Sequence, residues 1–541
     1  MNQIERNPVT STIRLLPLLA VVLTVLLTAT AHAAAPGITG ASGTPKFSLT
    51  AQPAYITQPD GQMIYSWGYG CNGAPTGFAP LVNGTTPMTG ATCPSMQIPG
   101  PTLIVTEGDS VSVTLTNNLP AAAGNTSILF PGFNVTATGG VAGLLTQEAA
   151  PGSTVTYTFK ASSPGTRSYY SGTQGDLQVE MGLYGAIIVL PINPATDSTL
   201  CSNGDLQVLQ RRARNNWGES DFRLSTSAYD HAGTCYDREY LFQFSEMDPN
   251  IHAQALAQVT AAGSCTAGAP GCSLNVPTEP YHPAYFMING RSMPDDMDPN
   301  YAPFYPHQPY NGNPHLHPGE IVLLRIIGQG RWQHPFHEHG NHVRILARDG
   351  NLILSATDQT ALAGPALFTT TTTPGLAMDG LFYYTGKGLN WDMYGHNPKS
   401  GDSNAKLPCN PDANGYNSSA YTAINFFEWC QDHNKPLETA PVGDLAGGGP
   451  ATLPLPNILT NGAWYGGSPY LGPDATIRAV GSTGTTPPSG TIANSPTGEA
   501  GFAFMWHSHN EREITTNNIF PGGMLMMMLV DSREFVIDES N

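Results

Sequence analysis

The stretch Ser110-Val111-Ser112-Val113-Thr114-Leu115 alternates small polar residues with aliphatic ones. Successive side chains of a β-strand point to opposite faces, so this alternation predicts a strand with one buried and one exposed side. The stretch Ser153-Thr154-Val155-Thr156-Tyr157-Thr158-Phe159 repeats the pattern further along the chain. Glycine and proline bound both stretches. Together they indicate a turn-rich β-sandwich.

Composition supports an all-β chain with more than one domain. The 541 residues include 59 glycines and 47 prolines, and only 11% of them are charged. This length suffices for two or three domains. The net charge of -18 at pH 7 would repel nucleic acid and anionic membrane surfaces. We therefore expect metal cations as partners, and we expect neither nucleic acid nor a membrane.

The predicted architecture is a pair of tandem β-sandwiches with a long loop-rich insertion. We place the first sandwich at residues 45–195, a connector at 196–235 and the second sandwich at 236–541. Glycine, proline, asparagine and serine dominate residues 386–498. We interpret this segment as an insertion into the second sandwich, and part of a third domain is the alternative. Long insertions of this kind are more often functional than simple connectors.

The N-terminus predicts export. Arg14 precedes an apolar run from Leu15 to Leu27, and the small-residue pattern Ala31-His32-Ala33 follows it. Together these features are typical of a secretory signal peptide, here residues 1–33. A retained anchor is the alternative, although the run is short for a membrane span. We expect the mature protein to be secreted or periplasmic, with no membrane span.

Cysteine usage agrees with an oxidising compartment. The chain has eight cysteines, which fall into four pairs of neighbours along the sequence. Eight cysteines allow 105 connectivities, and the sequence does not choose among them. The simplest arrangement joins nearest neighbours: Cys71 with Cys93, Cys201 with Cys235, Cys265 with Cys272, and Cys409 with Cys430.

Two short histidine clusters lie far apart in the chain. They read HPFHEHG at residues 334–340 and WHSH at residues 506–509. Residues two apart on a strand share a face, so each cluster can present two imidazoles together. Neutral imidazole suits copper and zinc, whereas magnesium and calcium prefer oxygen ligands. The sequence therefore predicts a metal site made by His337, His339, His507 and His509.

At these residues the chain resembles the multicopper oxidases. Residues 334–340 are similar to that family's HPxHxHG strand, and residues 507–524 are similar to its closing strand, where HCHxxxH precedes a glycine and an axial methionine. Residues 101–109 with 114–117 are similar to the opening strands of the family's first domain, and residues 182–189 are similar to its last strand. The resemblance implies cupredoxin-like Greek-key sandwiches, copper as the cofactor and, in an enzyme, copper-dependent oxidoreductase activity.

One departure from the family removes its blue copper centre. The family has a cysteine between the last two histidines, and this chain has Ser508. A serine hydroxyl does not replace a soft thiolate in a blue copper site. Of the other blue-site positions, the resemblance assigns His334, Glu513 in place of a histidine, and Met524 as the axial residue. We keep His334 and Glu513 as further candidate metal residues, the carboxylate serving as a ligand or as a group that orients an imidazole.

A second departure lies in the first domain. Where the family has HxHG, the chain reads Leu129-Phe130-Pro131-Gly132, and where the family has HSH, it reads Tyr170-Ser171-Gly172. The resemblance assigns half of a trinuclear copper cluster to those missing histidines. The electron path of an ordinary laccase therefore does not carry over intact. We expect one or two copper ions rather than four, with zinc as the alternative metal.

Three functions remain in view. The favoured one is an exported copper-binding protein with an altered histidine site and no blue copper centre. The main alternative is an oxidoreductase of the multicopper oxidase type that oxidises small phenols or metal ions, with a small-molecule reductant as its partner. The second alternative is a metal-free structural or surface protein on the same scaffold. No catalytic residue is assigned, and the oligomeric state stays open.

Overall fold

The computed structural model describes nine parts of the chain: residues 35–82, 84–192, 220–317, 319–384, 410–413, 415–418, 467–470, 501–531 and 537. The proposed signal peptide, residues 196–219 of the connector and nearly all of the proposed insertion lie outside these residues. Among the helices of the described parts, none is long and apolar enough to cross a membrane.

The first sandwich is built as the alternating pattern predicts. Strand β8 (Ser110–Asn117) alternates strictly between buried and less buried residues, and β12 (Thr154–Lys160) does the same. The two strands pair antiparallel, with Val113 opposite Tyr157. Their apolar faces contribute to one core with Trp67 and Tyr169, both of which are fully buried.

Two five-stranded sheets form this sandwich. In spatial order, one contains β13 (Gly165–Tyr170), β14 (Tyr184–Leu190), β7 (Leu103–Thr106), β1 (Gly37–Thr39) and β4 (Gly77–Ala79). The other contains β3 (Met63–Cys71), β2 (Lys46–Thr57), β8, β12 and β9 (Thr136–Gly139). Two small hairpins accompany them: β5 (Leu81–Val82) with β6 (Thr86–Pro87), and β10 (Val141–Ala142) with β11 (Gln147–Glu148).

The second sandwich also consists of two sheets. One contains β16 (Tyr285–Ile288), β15 (Arg238–Met247), β18 (Ile321–Gly328), β24 (Ala377–Tyr383), β20 (Val343–Arg348) and β21 (Asn351–Leu352), with β22 (Ala366–Leu367) on β20. The other contains β17 (His315–Leu316), β27 (Leu525–Asp531), β26 (Gly501–Ser508), β19 (His334–Glu338) and β23 (Thr369–Thr372), with β25 (Gly467–Tyr470) on β26.

Helices are few in the described parts of the chain. A single turn, α1 (Gly175–Gln178), precedes β14, and α2 (Pro249–Ala262) follows β15. Our sequence analysis did not predict α2. Asp248 caps it by accepting a hydrogen bond from the Asn250 amide, which is a common way to start a helix. Short 3-10 turns occur at Ala121–Ala123, Ala232–Thr234 and Asp295–Met297.

Polar contacts join the two sandwiches. The Asp379 carboxylate accepts hydrogen bonds from the Thr166 hydroxyl of the first sandwich and from the Tyr229 hydroxyl of the connector, each at 2.6 Å. The Ser168 hydroxyl donates to the Gln329 side chain at 2.8 Å. All five side chains are buried. Because buried polar groups are costly when unpaired, these bonds fix how the two sandwiches meet.

Two predicted disulfides are confirmed. Cys71 bonds Cys93, and Cys265 bonds Cys272. Cys235 is also disulfide-bonded, but the predicted partner Cys201 lies outside the described residues, as does Cys409 with its predicted partner Cys430.

The predicted all-β class, with tandem sandwiches, is confirmed. Each of the four large sheets contains both parallel and antiparallel strand pairs. The domain boundaries given above remain predictions.

Candidate metal centre

Strand pairing brings the two histidine clusters together. Strands β19 and β26 are antiparallel neighbours, and His337 lies directly opposite His507. On its other side, β19 pairs with β23, where Thr369 is opposite His337. Because side chains alternate along each strand, the odd-numbered histidines of both strands share one face.

The four imidazoles pack ring against ring on that face. The His337 ring centroid lies 4.8 Å from those of His339 and His509 and 5.5 Å from that of His507. The His339 and His507 centroids are 5.0 Å apart. The structure therefore places all four residues of the predicted ligand set in contact. We call this group, His337, His339, His507 and His509, the four-histidine cluster.

Hydrogen bonds orient several of these residues. The His507 Nδ1 lies 2.7 Å from the Ser508 carbonyl oxygen, which accepts only, so Nδ1 carries the proton. In a neutral ring the Nε2 lone pair is then left for the cluster. The His337 Nδ1 lies 2.7 Å from the Thr369 hydroxyl, and the Trp506 indole donates to the His339 carbonyl at 3.0 Å.

The cluster favours neutral imidazoles. Burial, followed by the like charges of His339, His507 and His509, lowers the pKa of His337 to about 4. Burial likewise lowers the pKa of His507. A neutral ring keeps the nitrogen lone pair that a metal requires. The cluster is therefore chemically ready for a metal at neutral pH.

Donor type and spacing fit a copper or zinc ion. The Nε2 atoms of His339 and His507 are 3.2 Å apart. Two nitrogens of a tetrahedral site with bonds of about 2.0–2.1 Å lie about 3.3 Å apart. However, within the described residues no group of three or more His, Cys, Asp or Glu side chains already converges as a complete metal site. Binding would therefore require side-chain rotation, which the exposed His509 allows most easily.

The other two candidate residues lie on the opposite face and contact each other. The His334 Nδ1 is 2.9 Å from a Glu513 carboxylate oxygen, and its Nε2 is 2.9 Å from a carboxylate oxygen of Glu246. All three side chains are almost fully buried. Both ring nitrogens of His334 are therefore engaged by carboxylates. We call His334, Glu246, Glu513 and Ser508 the His334 network.

Ser508 completes this network. Its hydroxyl donates to the Glu513 carboxylate at 2.5 Å, and the Asn510 side-chain amide donates to the second Glu513 oxygen at 2.8 Å. Glu246 accepts from the backbone amides of Arg331 and Trp332. The positions that the family resemblance assigns to blue copper are thus gathered by hydrogen bonds, with a hydroxyl where the thiolate would be.

Charge stabilises the His334 network without a metal. Burial lowers the pKa of His334, but the hydrogen bonds to Glu246 and Glu513 and their negative charges outweigh it, so the pKa is raised to about 9. The ring is therefore an imidazolium at neutral pH. The positive ring balances the charge of the two carboxylates that bond it.

The sequence analysis missed Glu246 and Thr369. Glu246 is one of several buried charged or polar residues in β15, with Arg238, Glu239 and Gln243, so its strand context alone does not distinguish it. Thr369 begins a run of threonines, and nothing in that run distinguishes it from its neighbours. Its contact with His337 follows only from the pairing of β19 with β23.

The first domain matches a known family. Residues 85–194 match the family profile described as multicopper oxidase.

Curated relatives match parts of the chain. The Talaromyces pinophilus protein named multicopper oxidase MCE is 37% identical over 125 residues, which are 22% of this chain and 20% of that protein. Laccase abr2 of Aspergillus fumigatus is 29% identical over 232 residues, which are 42% of this chain and 36% of that protein. The chain thus spans about a fifth and about a third of the length of these two relatives.

The chain is also similar to a solved structure titled multicopper oxidase mgLAC, with a TM-score of 0.42 and 15% sequence identity. The match covers 92% of this chain and 88% of the chain in that structure.

Proposed function

We propose that this chain, which is a multicopper oxidase-like family member, has no blue copper centre and binds one or two copper ions through His337, His339, His507 and His509. One observation carries the proposal: β19 and β26 bring four imidazoles into mutual contact on one face. Copper bound there would supply one-electron redox chemistry. His334 and Glu513 stay outside this ligand set, because each is already committed to the His334 network.

The donor set supports copper over other metals. Four nitrogen donors suit copper and zinc, and sites of this kind bind copper(II) more tightly than zinc. The Thr369 hydroxyl and the Ser508 backbone carbonyl support binding because they orient the rings of His337 and His507 before a metal binds. Zinc remains the alternative ion, and the metal measurement below distinguishes the two.

Export is part of the same proposal. The signal-peptide pattern of residues 1–33 and the disulfides of Cys71 and Cys265 support a secreted or periplasmic protein, since disulfides persist in oxidising compartments.

General oxidase activity is the less favoured function. The hydroxyl of Ser508 bonds Glu513 and offers no thiolate path for electrons. The first-domain positions Leu129 and Tyr170 carry no metal-binding imidazole. Turnover of a small phenol by copper-loaded protein, lost with the four histidines, would favour the oxidase function.

The first test is metal content by mass spectrometry on the secreted full-length protein after copper loading and desalting. The test variant changes His337, His339, His507 and His509 to alanine. A matched control changes His231 and His282, which lie outside the cluster, to alanine. We expect one or two copper ions per chain in the wild type and the control, and none in the test variant. The wild type should show no intense blue absorption band.

Three outcomes would contradict the proposal. No stoichiometric metal in the wild type would leave a metal-free scaffold protein. Copper retained by the test variant would place the metal elsewhere. An intense blue band would mean that a blue centre forms without a cysteine at position 508.

A further inference from the structure

A cavity of 480 Å³ lies between the two sandwiches. Leu129, Tyr170 and Val179 line it from the first sandwich, and Gln329 and Pro374 line it from the second. Cavities of about 300–1,000 Å³ are typical of small-molecule sites, which occur preferentially between domains. The size and the position of this cavity therefore suit a small organic molecule.

The cavity is uncharged, in contrast to the protein as a whole. Among the described residues that line it, none is an acid, a base or a histidine, although the chain carries a net charge of -18. A buried ion without a partner is strongly unfavourable. An uncharged lining therefore selects a neutral ligand. Leu129 and Tyr170 also occupy stretches where the family resemblance implies copper ligands, so this pocket lacks imidazole donors.

Aromatic and polar groups in the wall suit an aromatic ligand with a polar substituent. Tyr170 contributes a half-buried ring, and burial together with the Asp349 charge raises the pKa of its phenol, so the hydroxyl stays a neutral donor. The Gln329 amide is held in place by Ser168, Gly185 and Gln243. A fixed wall of this kind is preorganised for binding.

Two leucines stand at the mouth of the cavity. Leu144 and Leu145, in the turn between β10 and β11, line it and are 92% and 64% exposed. Exposed large apolar side chains gain free energy when a ligand covers them. On the same rim, Gln174 has a left-handed backbone with φ 43°. Such strain in a residue other than glycine is frequent at ligand sites.

We propose that this cavity binds a small uncharged aromatic molecule that carries a hydrogen-bond acceptor. The ring packs against Tyr170 and beneath Leu144 and Leu145, and the acceptor meets the Tyr170 hydroxyl. This site is separate from the four-histidine cluster, so the inference goes beyond the proposed function and does not depend on it.

The test uses prodan, an uncharged naphthalene ketone whose fluorescence increases in apolar surroundings. We expect saturable binding of one prodan per full-length chain, and weaker binding of the anionic dye anilinonaphthalene sulfonate. Leu145→Asp places a charge at the mouth and should weaken prodan binding at least about tenfold. Val141→Asp is the matched control, because Val141 is 43% exposed on the same hairpin but does not line the cavity. Its affinity should equal that of the wild type.

A second variant adds an aromatic ring at Gly175, which lines the cavity. A Cβ added at Gly175 would meet no heavy atom within 4 Å, so Gly175→Phe should fold and displace prodan. If circular dichroism shows that Leu145→Asp is unfolded, Gly175→Phe decides the result. The alanine variant of the four-histidine cluster should bind prodan normally, which separates this site from the copper proposal. The inference would be overturned if prodan did not bind saturably to the wild type. It would also be overturned if folded Leu145→Asp, or Gly175→Phe in its place, bound prodan with wild-type affinity.

Discussion

One face of the β19–β26 strand pair carries imidazoles packed against one another, and the opposite face carries a single imidazole clamped between two carboxylates. His337 and His334 lie three residues apart on the same strand. Yet the pKa of the first is lowered to about 4 and that of the second is raised to about 9. Both rings are buried, so burial alone does not explain the difference. Burial lowers the pKa of both rings. At His337 the other imidazoles add to this effect, whereas at His334 the two carboxylates outweigh it.

This difference assigns distinct roles to the two faces. A neutral imidazole with an oriented nitrogen is able to bind a metal. An imidazolium that is hydrogen-bonded at both nitrogens instead stabilises the fold. The four-histidine cluster should therefore affect copper binding more than stability. The His334 network should affect stability and leave copper binding unchanged.

The largest expected effect comes from His334→Ala. The change leaves the carboxylates of Glu246 and Glu513 buried without the positive ring between them. Removing one partner of a buried ion pair costs about 3–5 kcal/mol in the free energy of unfolding. His337→Ala, which removes a neutral ring, should cost only about 1 kcal/mol. Urea unfolding of both variants measures the difference, and equal losses would refute the contrast.

The next largest effect is a pH dependence of the stability that His334 contributes. Because the folded pKa of His334 is raised from 6.5 to about 9, its contribution is full below pH 6.5 and is lost as pH rises through about 9. A shift of this size corresponds to about 3 kcal/mol. We therefore expect the stability gap between the wild type and His334→Gln to shrink by about that amount between pH 6.5 and pH 10.

The wild type must be compared with His334→Gln because other buried groups also titrate in this pH range and change the stability of both proteins. Burial raises the pKa of Glu180 and of Glu338 to about 8, and each then contributes stability that is lost as pH rises above 4.5 towards 8. These losses occur in both proteins and cancel in the gap. A gap that stays constant from pH 6.5 to pH 10 would show that His334 is not an imidazolium in the folded protein.

The smallest expected effects come from two variants, one of which should change mainly stability and the other mainly copper affinity. Ser508→Ala removes a hydrogen bond to the Glu513 carboxylate and should cost about 2 kcal/mol of stability with no change in copper affinity. Thr369→Ala removes the bond that orients His337. It should lower copper affinity about tenfold or more and cost only about 1 kcal/mol. Urea unfolding and competitive copper titration measure the two quantities.

Thr371→Ala is the control for the second arm, since Thr371 is exposed on the same strand and should change neither quantity. If Ser508→Ala weakened copper binding as much as Thr369→Ala, the two faces would be coupled rather than separate.

Sequence reasoning succeeded where the signal is local. Alternation in Ser110–Leu115 predicted a strand because the period of side-chain burial is a property of the strand itself. The HxH spacing of each cluster predicted that two histidines share a face for the same reason. The helix α2 was missed although Asp248 and Pro249 form a recognisable start, because its residues do not follow the alternating pattern that identifies strands.

Reasoning from sequence was weaker where partners are distant in the chain. Glu246 meets His334 across 88 positions and from the facing sheet. No periodicity links the two residues, so the sequence does not predict this contact. The same applies to the cavity, whose walls come from both sandwiches.

The contact between His339 and His507 joins residues 168 positions apart, and this separation has a consequence for how the protein matures. Contacts of such long range close large loops and form slowly. While β26 is still unpaired, His337 and His339 are separated from His507 and His509, and each pair alone is a weak chelate. We therefore expect copper to be acquired after folding is complete, and a newly synthesised molecule should pass through a stage that neither needs nor retains the ion.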